Sequence, residues 1–135
     1  MKAKFSSGII LNEKKQEIVN FIGPLMISKD NINGVEIDVF ETINPKNNMP
    51  IRLEINKEIL TVFAGENTLF FELNKKIPNE FHSENDIADI FSLLWQLDLK
   101  INKIKIKYDL FLGKIDAIDA IKIDTYYTNL EFLDD

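Results

Sequence analysis

Along much of this chain apolar and polar residues alternate, and that alternation predicts strands. Val35, Ile37 and Val39 alternate with Glu36 and Asp38, and Ile51, Leu53 and Ile55 with Arg52, Glu54 and Asn56. The longest such run sets Ile104, Ile106, Tyr108, Leu110 and Leu112 against Lys103, Lys105, Lys107 and Asp109. A period of two is the mark of a strand with one buried face. Residues 4–11 and 120–130 read as the first and last strands, with 131–135 a loosely held tail. Asn33-Gly34 is hairpin-turn chemistry, and Ala64-Gly65-Glu66-Asn67 joins the apolar runs 59–63 and 69–73. Gly23-Pro24 interrupts the apolar segment 18–28, which predicts a sheet edge or a bulge. A short helix over 13–22 is the alternative there, because Ile18, Phe21 and Ile22 also fit helical spacing.

One stretch departs from alternation. In residues 83–97, Ile87, Ile90, Phe91, Leu94 and Leu97 recur at three- and four-residue steps, behind a capping-box-like Ser83…Asp86. This pattern predicts a helix from Ser83 to about Leu97, with Ile87, Phe91 and Leu94 buried. The expected fold is α+β: a curved, mainly antiparallel sheet with that principal helix, about 83–97, packed on one face. No repeat or low-complexity linker divides the chain, so 1–135 reads as a single globular domain.

Composition narrows the function. With 135 residues, 45% hydrophobic and 28% charged, the chain is long enough for a core and is not of disordered type. It has no cysteine, which excludes a disulfide framework, a thiol nucleophile and any Cys-ligated metal. No segment is apolar for long enough to span a membrane or serve as a secretory signal, so a cytoplasmic home is the expectation. The formal net charge is −6, and Arg52 is the only arginine. The charge argues against a general nucleic-acid or anionic-membrane binder and is compatible with a basic protein partner or with solubility alone, and the near absence of arginine weakens nucleic-acid readout further.

Chemistry is sparse. His82 is the single histidine and stands at the entry to the expected helix, a structural or solvated position. No nucleophile elbow, phosphate loop or dinucleotide fingerprint occurs, and no spacing suggests a metal. Carboxylate pairs such as Glu36 with Glu54, or Asp116 with Asp119, are not singled out by spacing. Lys103, Lys105 and Lys107 on one strand face read as cross-strand partners of carboxylates or as protection of a sheet edge.

The C-terminal quarter gathers Asp109, Asp116, Asp119, Asp124, Glu131, Asp134 and Asp135 around Tyr126, Tyr127 and Phe132. Aromatic anchors among steering charges are how an interface for a basic protein is built. The overall profile is short, acidic, cysteine-free and without catalytic motifs. It resembles that of bacterial immunity proteins, which implies a non-enzymatic inhibitor occluding a basic toxin or nuclease, with no cofactor. The alternatives are a chaperone for a secreted protein, or a small enzyme or carrier with a pocket between helix and sheet.

Overall fold

In the computed structural model, which describes residues 1–133, every element is a strand and the expected helix is absent. The strands are β1 (Lys2–Leu11), β2 (Lys14–Ile32), β3 (Val35–Asn44), β4 (Met49–Asn56) and β5 (Ile59–Ala64). They continue as β6 (Asn67–Glu72), β7 (Lys76–Ser83), β8 (Asp86–Leu99), β9 (Lys103–Leu112) and β10 (Ile121–Leu133). All pair antiparallel in one ten-stranded sheet of order β6-β5-β4-β3-β2-β1-β10-β9-β8-β7. The sheet curls until β6 meets β7 and β8, which makes a nearly closed barrel. The architecture is all-β, not α+β. No helix among the described residues is long and apolar enough to cross a membrane.

The false helix has a physical origin. Ser83 pairs with Asp86 across a two-residue turn in which Asn85 takes φ +80°, so the apparent capping box is a hairpin tip. Beyond it, Ile90, Ser92 and Leu94 face the interior at strand spacing. A bulge at Trp95 then inserts one residue, and the next inward side chain is Leu97, three positions on rather than two. The outer face is covered as well, because Phe91 stacks on Phe111 with ring centroids 4.6 Å apart. A bulged strand buried on both faces reproduces the apolar spacing of a helix. Phe91 and Leu94 are buried as expected, but Ile87, near the hairpin tip, is 59% exposed.

The other expectations fare unevenly. Asn33-Gly34 does form a tight hairpin turn, both residues having positive φ. Residues 13–22 belong to a hairpin turn and to β2, not to a helix. Pro24 sits on an interior strand rather than an edge. It is tolerated because β1 pairing ends there, at Lys2, and β3 pairing starts at Leu25. Beside it Gly23 lets β3 approach, since a Cβ would lie 2.5 Å from the Ile43 carbonyl oxygen. Glu131, Phe132 and Leu133 are part of β10, not of a loose tail.

The core lies between the two halves of the curled sheet. Ile51, Leu53, Ile55, Leu60 and Phe71 from one half meet Phe5, Leu94, Ile104, Ile106 and Leu130 from the other. Aromatic pairs tie the halves together: Phe40 stacks on Phe132 (5.8 Å) and Phe71 tilts against Tyr108 (4.7 Å).

Closure between β6 and β7 does not use a backbone ladder. The buried Asn79 side chain supplies it: Oδ1 accepts from the Phe70 N–H (2.8 Å) while Nδ2 donates to the Phe70 carbonyl (3.0 Å). A primary amide has the donor and acceptor of a peptide group, so Asn79 takes the place of a neighbouring strand. Ser92 Oγ also donates to the Phe70 carbonyl (2.9 Å) and accepts from Asn79 Nδ2 (3.1 Å).

Asn79→Ala strips the Phe70 N–H and Asn79's half of that network, and should destabilise the fold by about 3 kcal/mol. Chemical denaturation measures this, and a loss below about 1 kcal/mol would show that the seam holds by other means. Thr42 makes the opposite case. Its Oγ1 is buried without a partner among the described residues. Thr42→Val keeps the shape and removes the unsatisfied hydroxyl, so the same denaturation series should show equal or greater stability, by up to about 1 kcal/mol.

Candidate functional site

Several concave features mark the surface, among them an apolar one of about 350 Å³ on the outer side of the sheet at Pro24, Met26, Ile43 and Pro50; two others differ sharply in chemistry. An open groove of about 510 Å³ runs beside the β6–β7 seam, lined by Glu66, Thr68, Phe70, Pro78, Glu80, His82 and Asp89. It sets the carboxylates of Glu66, Glu80 and Asp89 beside the apolar Phe70 and Pro78. His82 lies 3.6 Å from Glu80 Oε2, with a half-exposed side chain, and its backbone N–H donates to Asn67 Oδ1 (3.2 Å). The position expected at a helix entry is thus a solvated strand residue near a hairpin tip. Among the described residues no group of His, Asp and Glu is arranged to hold a metal ion.

The second feature is the mouth of the barrel, a cavity of about 310 Å³ between the two halves of the sheet. Met49, Ile51, Val62 and Leu69 form one wall, and Phe5, Val19, Tyr108 and Tyr126 the other. Each inward residue is placed by strand alternation: Ile51 and Leu53 on β4, Ile106 and Tyr108 on β9, Thr128 and Tyr126 on β10. The cavity exists because the Tyr108 ring leans on Phe71 and on Tyr126 (5.5 Å, nearly parallel), leaving the space above Leu53 and Leu69 unfilled.

The phenols are the cavity's chemical handle. Burial pushes the Tyr108 phenol far above the ordinary value of 10.0, with Tyr126 beside it adding to the shift. Tyr126, nearer the rim, is raised by burial and then by Asp124. Among the described residues neither phenol has a hydrogen-bonding partner, so both stay neutral and free to donate to a ligand.

The ten residues expected to form a protein interface do not share one surface. Asp109 accepts from Thr125 Oγ1 (2.7 Å) and lies 3.5 Å from Lys122, so its carboxylate is engaged within the fold. Asp116 and Asp119 sit in the irregular segment after β9, and Asp124 flanks the bulge in β10. Tyr126 faces the cavity, whereas Tyr127 faces outward yet is only 3% exposed, lying beneath Lys15 (4.9 Å to the ring centroid). Burial, then Glu17, raises the Tyr127 phenol too. Phe132 packs on Phe40 in the core, and Glu131 lies exposed on the outer face beside Lys4 and Lys103. Asp134 and Asp135 lie outside the described residues.

Other charges named from the sequence are also accounted for. Glu36 is bonded to Lys29 (2.8 Å), which lowers its pKa and raises that of the lysine. Glu54 holds Arg52 (2.8 Å), which also reaches Glu41 (3.3 Å) and Asp30 (3.7 Å). The carboxylates Glu36 and Glu54 thus serve separate surface pairs rather than one acid–base pair. The cavity itself was missed because its walls read as ordinary strand interiors. The only sequence signal was Tyr108, a polar-tipped aromatic at an inward position among isoleucines and leucines.

The three raised phenols imply a pH dependence. A folded-state pKa above the unfolded value means the stabilisation is fully present below pH 10 and is lost as pH rises beyond it towards the folded value. The unfolding free energy should therefore be flat from pH 7 to about pH 9 and fall above about pH 10, with a shallower fall in Tyr108→Phe. Ultraviolet titration checks the same point: native tyrosinate absorbance rising for all three residues with a midpoint at 10 would contradict it.

No family model matches the sequence, and no curated protein matches it. The fold is similar to that in the crystal structure of the ywiB protein from Bacillus subtilis, with a TM-score of 0.57 over 98% of this chain and 91% of that one. Sequence identity is 10%, so the likeness establishes the all-β fold and carries no function.

Proposed function

We propose that this chain is a non-catalytic binding protein that holds a small apolar molecule in the mouth of its barrel. The observation that carries the reading is the cavity of about 310 Å³ walled by Met49, Val62 and Leu69 and bordered by the stacked Tyr108–Tyr126 pair. Its volume is about twice that of an apolar cavity of ~150 Å³ known to take up benzene, so it suits about a dozen non-hydrogen atoms. A flat aromatic ligand with one polar atom fits best. The ring lies against Tyr126, the polar atom meets a phenol, and the aliphatic walls exclude water.

This is the carrier alternative, relocated from a helix–sheet interface to a barrel interior. A cytoplasmic setting is part of the same proposal. The immunity-type inhibitor is the weaker reading, because its proposed anchors include a cavity-lining tyrosine and a core phenylalanine.

Calorimetric titration with 2-naphthol should give one-site binding with a micromolar Kd, about −7 kcal/mol. Leu69→Trp fills the cavity and should weaken binding at least tenfold, and Tyr126→Ala should weaken it while leaving the fold intact. An absence of saturable binding, or affinity indifferent to both substitutions, would contradict the proposal.

A further inference from the structure

The outer face of β1, β10, β9 and the β8–β9 hairpin carries a charge pattern opposite to that of the whole chain. Lys103, Lys105 and Lys107 project outward from β9, alternating with the buried Ile104 and Ile106. Strand β9 lies between β8 and β10, so these lysines do not protect an edge. Lys4 joins the row through Glu131, which pairs with Lys4 on one side and Lys103 on the other. Lys15 covers Tyr127, and Lys100 sits in the hairpin tip. The charges act on one another: Lys103, then Lys100, with Lys15 and Lys107 contributing, hold the Lys105 pKa below its ordinary value. Glu17, Asp98 and Glu131 lie among these lysines. Yet among the described residues none of the six ammonium groups comes within ion-pair distance of a carboxylate.

The tip adjoining this face presents an apolar side chain. Ile101 is 99% exposed, with Lys100 before it and Lys103 following. The tip is held rather than free, because Lys100 N–H donates to the Lys103 carbonyl (2.9 Å) and Phe132 N–H to the Asn102 carbonyl (2.8 Å). A second fully exposed isoleucine, Ile118, stands between Asp116 and Asp119 and offers an internal contrast.

We propose that this face docks on an anionic lipid bilayer, with the lysines against the headgroups and Ile101 at the hairpin tip dipping into the acyl boundary. The inference is independent of the barrel cavity. Charge complementarity selects an anionic partner. The net charge of −6 does not oppose it, since screening confines each charge's influence to about 8–10 Å at ordinary salt. The tip selects lipid over nucleic acid: an exposed isoleucine has nothing to gain on a phosphate backbone, but it can be buried in a membrane interface. Single-stranded nucleic acid would instead need free aromatic faces for stacking. Here one face of Trp95 is covered by Lys107 (5.5 Å to the ring centroid), and Tyr127 is buried.

Sedimentation with vesicles tests this. The full chain should bind phosphatidylglycerol–phosphatidylcholine vesicles and not pure phosphatidylcholine. Each lysine near an anionic leaflet is worth about fivefold in partitioning, so the double variant Lys103→Glu/Lys105→Glu should lose at least a hundredfold. Ile101→Asp should lose about tenfold, and Ile118→Asp should lose nothing. All four positions are at the surface, and thermal unfolding should report a native fold for each variant. The proposal is overturned by equal binding to both vesicle types, by no binding to anionic vesicles, or by full binding of the double variant. Affinity for oligothymidylate without vesicle binding overturns it in favour of a nucleic-acid surface.

Discussion

The amide of Asn79 is the interaction on which the closed shape depends. A ten-stranded sheet with free ends leaves two rows of unpaired backbone groups, and β6 and β7 are those ends. Asn79 reaches across the gap and satisfies both polar groups of Phe70, with Ser92 bonded to the same carbonyl. Side chains make shorter and more local bridges than a strand ladder, and besides Asn79, Asn67 Oδ1 accepts from the His82 N–H (3.2 Å). Beyond β6 the Asn74 N–H donates to the Leu94 carbonyl (2.7 Å), so the seam is pinned at separate points and open between them. The groove along Thr68, Glu80 and His82 is the consequence.

Closure in turn makes the interior cavity. Once β6 is held beside β7 and β8, Phe71 is brought against Tyr108 from the opposite half of the sheet. At one end the interior is filled, with Phe40 on Phe132. At the other the tyrosines stack on each other and leave space against Val62 and Leu69. Leaving such a volume empty sacrifices packing that aliphatic side chains could have made. A pocket with neutral phenols at its rim is the return on that loss.

Strands with one clean buried face were legible in the sequence. The runs around Ile51–Ile55 and Ile104–Leu112 and the Asn33-Gly34 turn stand where alternation and turn chemistry place them. The run at Val35–Val39 is a strand as expected, but its faces are inverted: Phe40, opposite Leu53, enters the core, while Val35, Ile37 and Val39 lie on the outer face with Val39 opposite Glu54. What failed was the reading of β8, where a bulge and a buried outer face changed the apolar spacing, and of β2, which passes through Gly23-Pro24 without ending. Periodicity registers spacing, and a bulge alters spacing while keeping the strand. The candidate site was less legible still. Tyr126 and Tyr127 were singled out together as interface anchors, with alternation allowing only one of them to face outward. Only the three-dimensional register shows that Tyr126 faces Tyr108, and that Tyr127 lies under Lys15. A cavity depends on side chains far apart in sequence, and no local pattern encodes it.

The tyrosine-bordered mouth of the barrel is the proposed binding site. Nuclear Overhauser contacts from bound 2-naphthol to the protein locate the ligand directly. Binding in the mouth predicts contacts to the methyls of Met49, Val62 and Leu69 and to the rings of Tyr108 and Tyr126. Contacts confined to the outer residues Met26 and Ile43, or to the groove at Phe70 and His82, would contradict it.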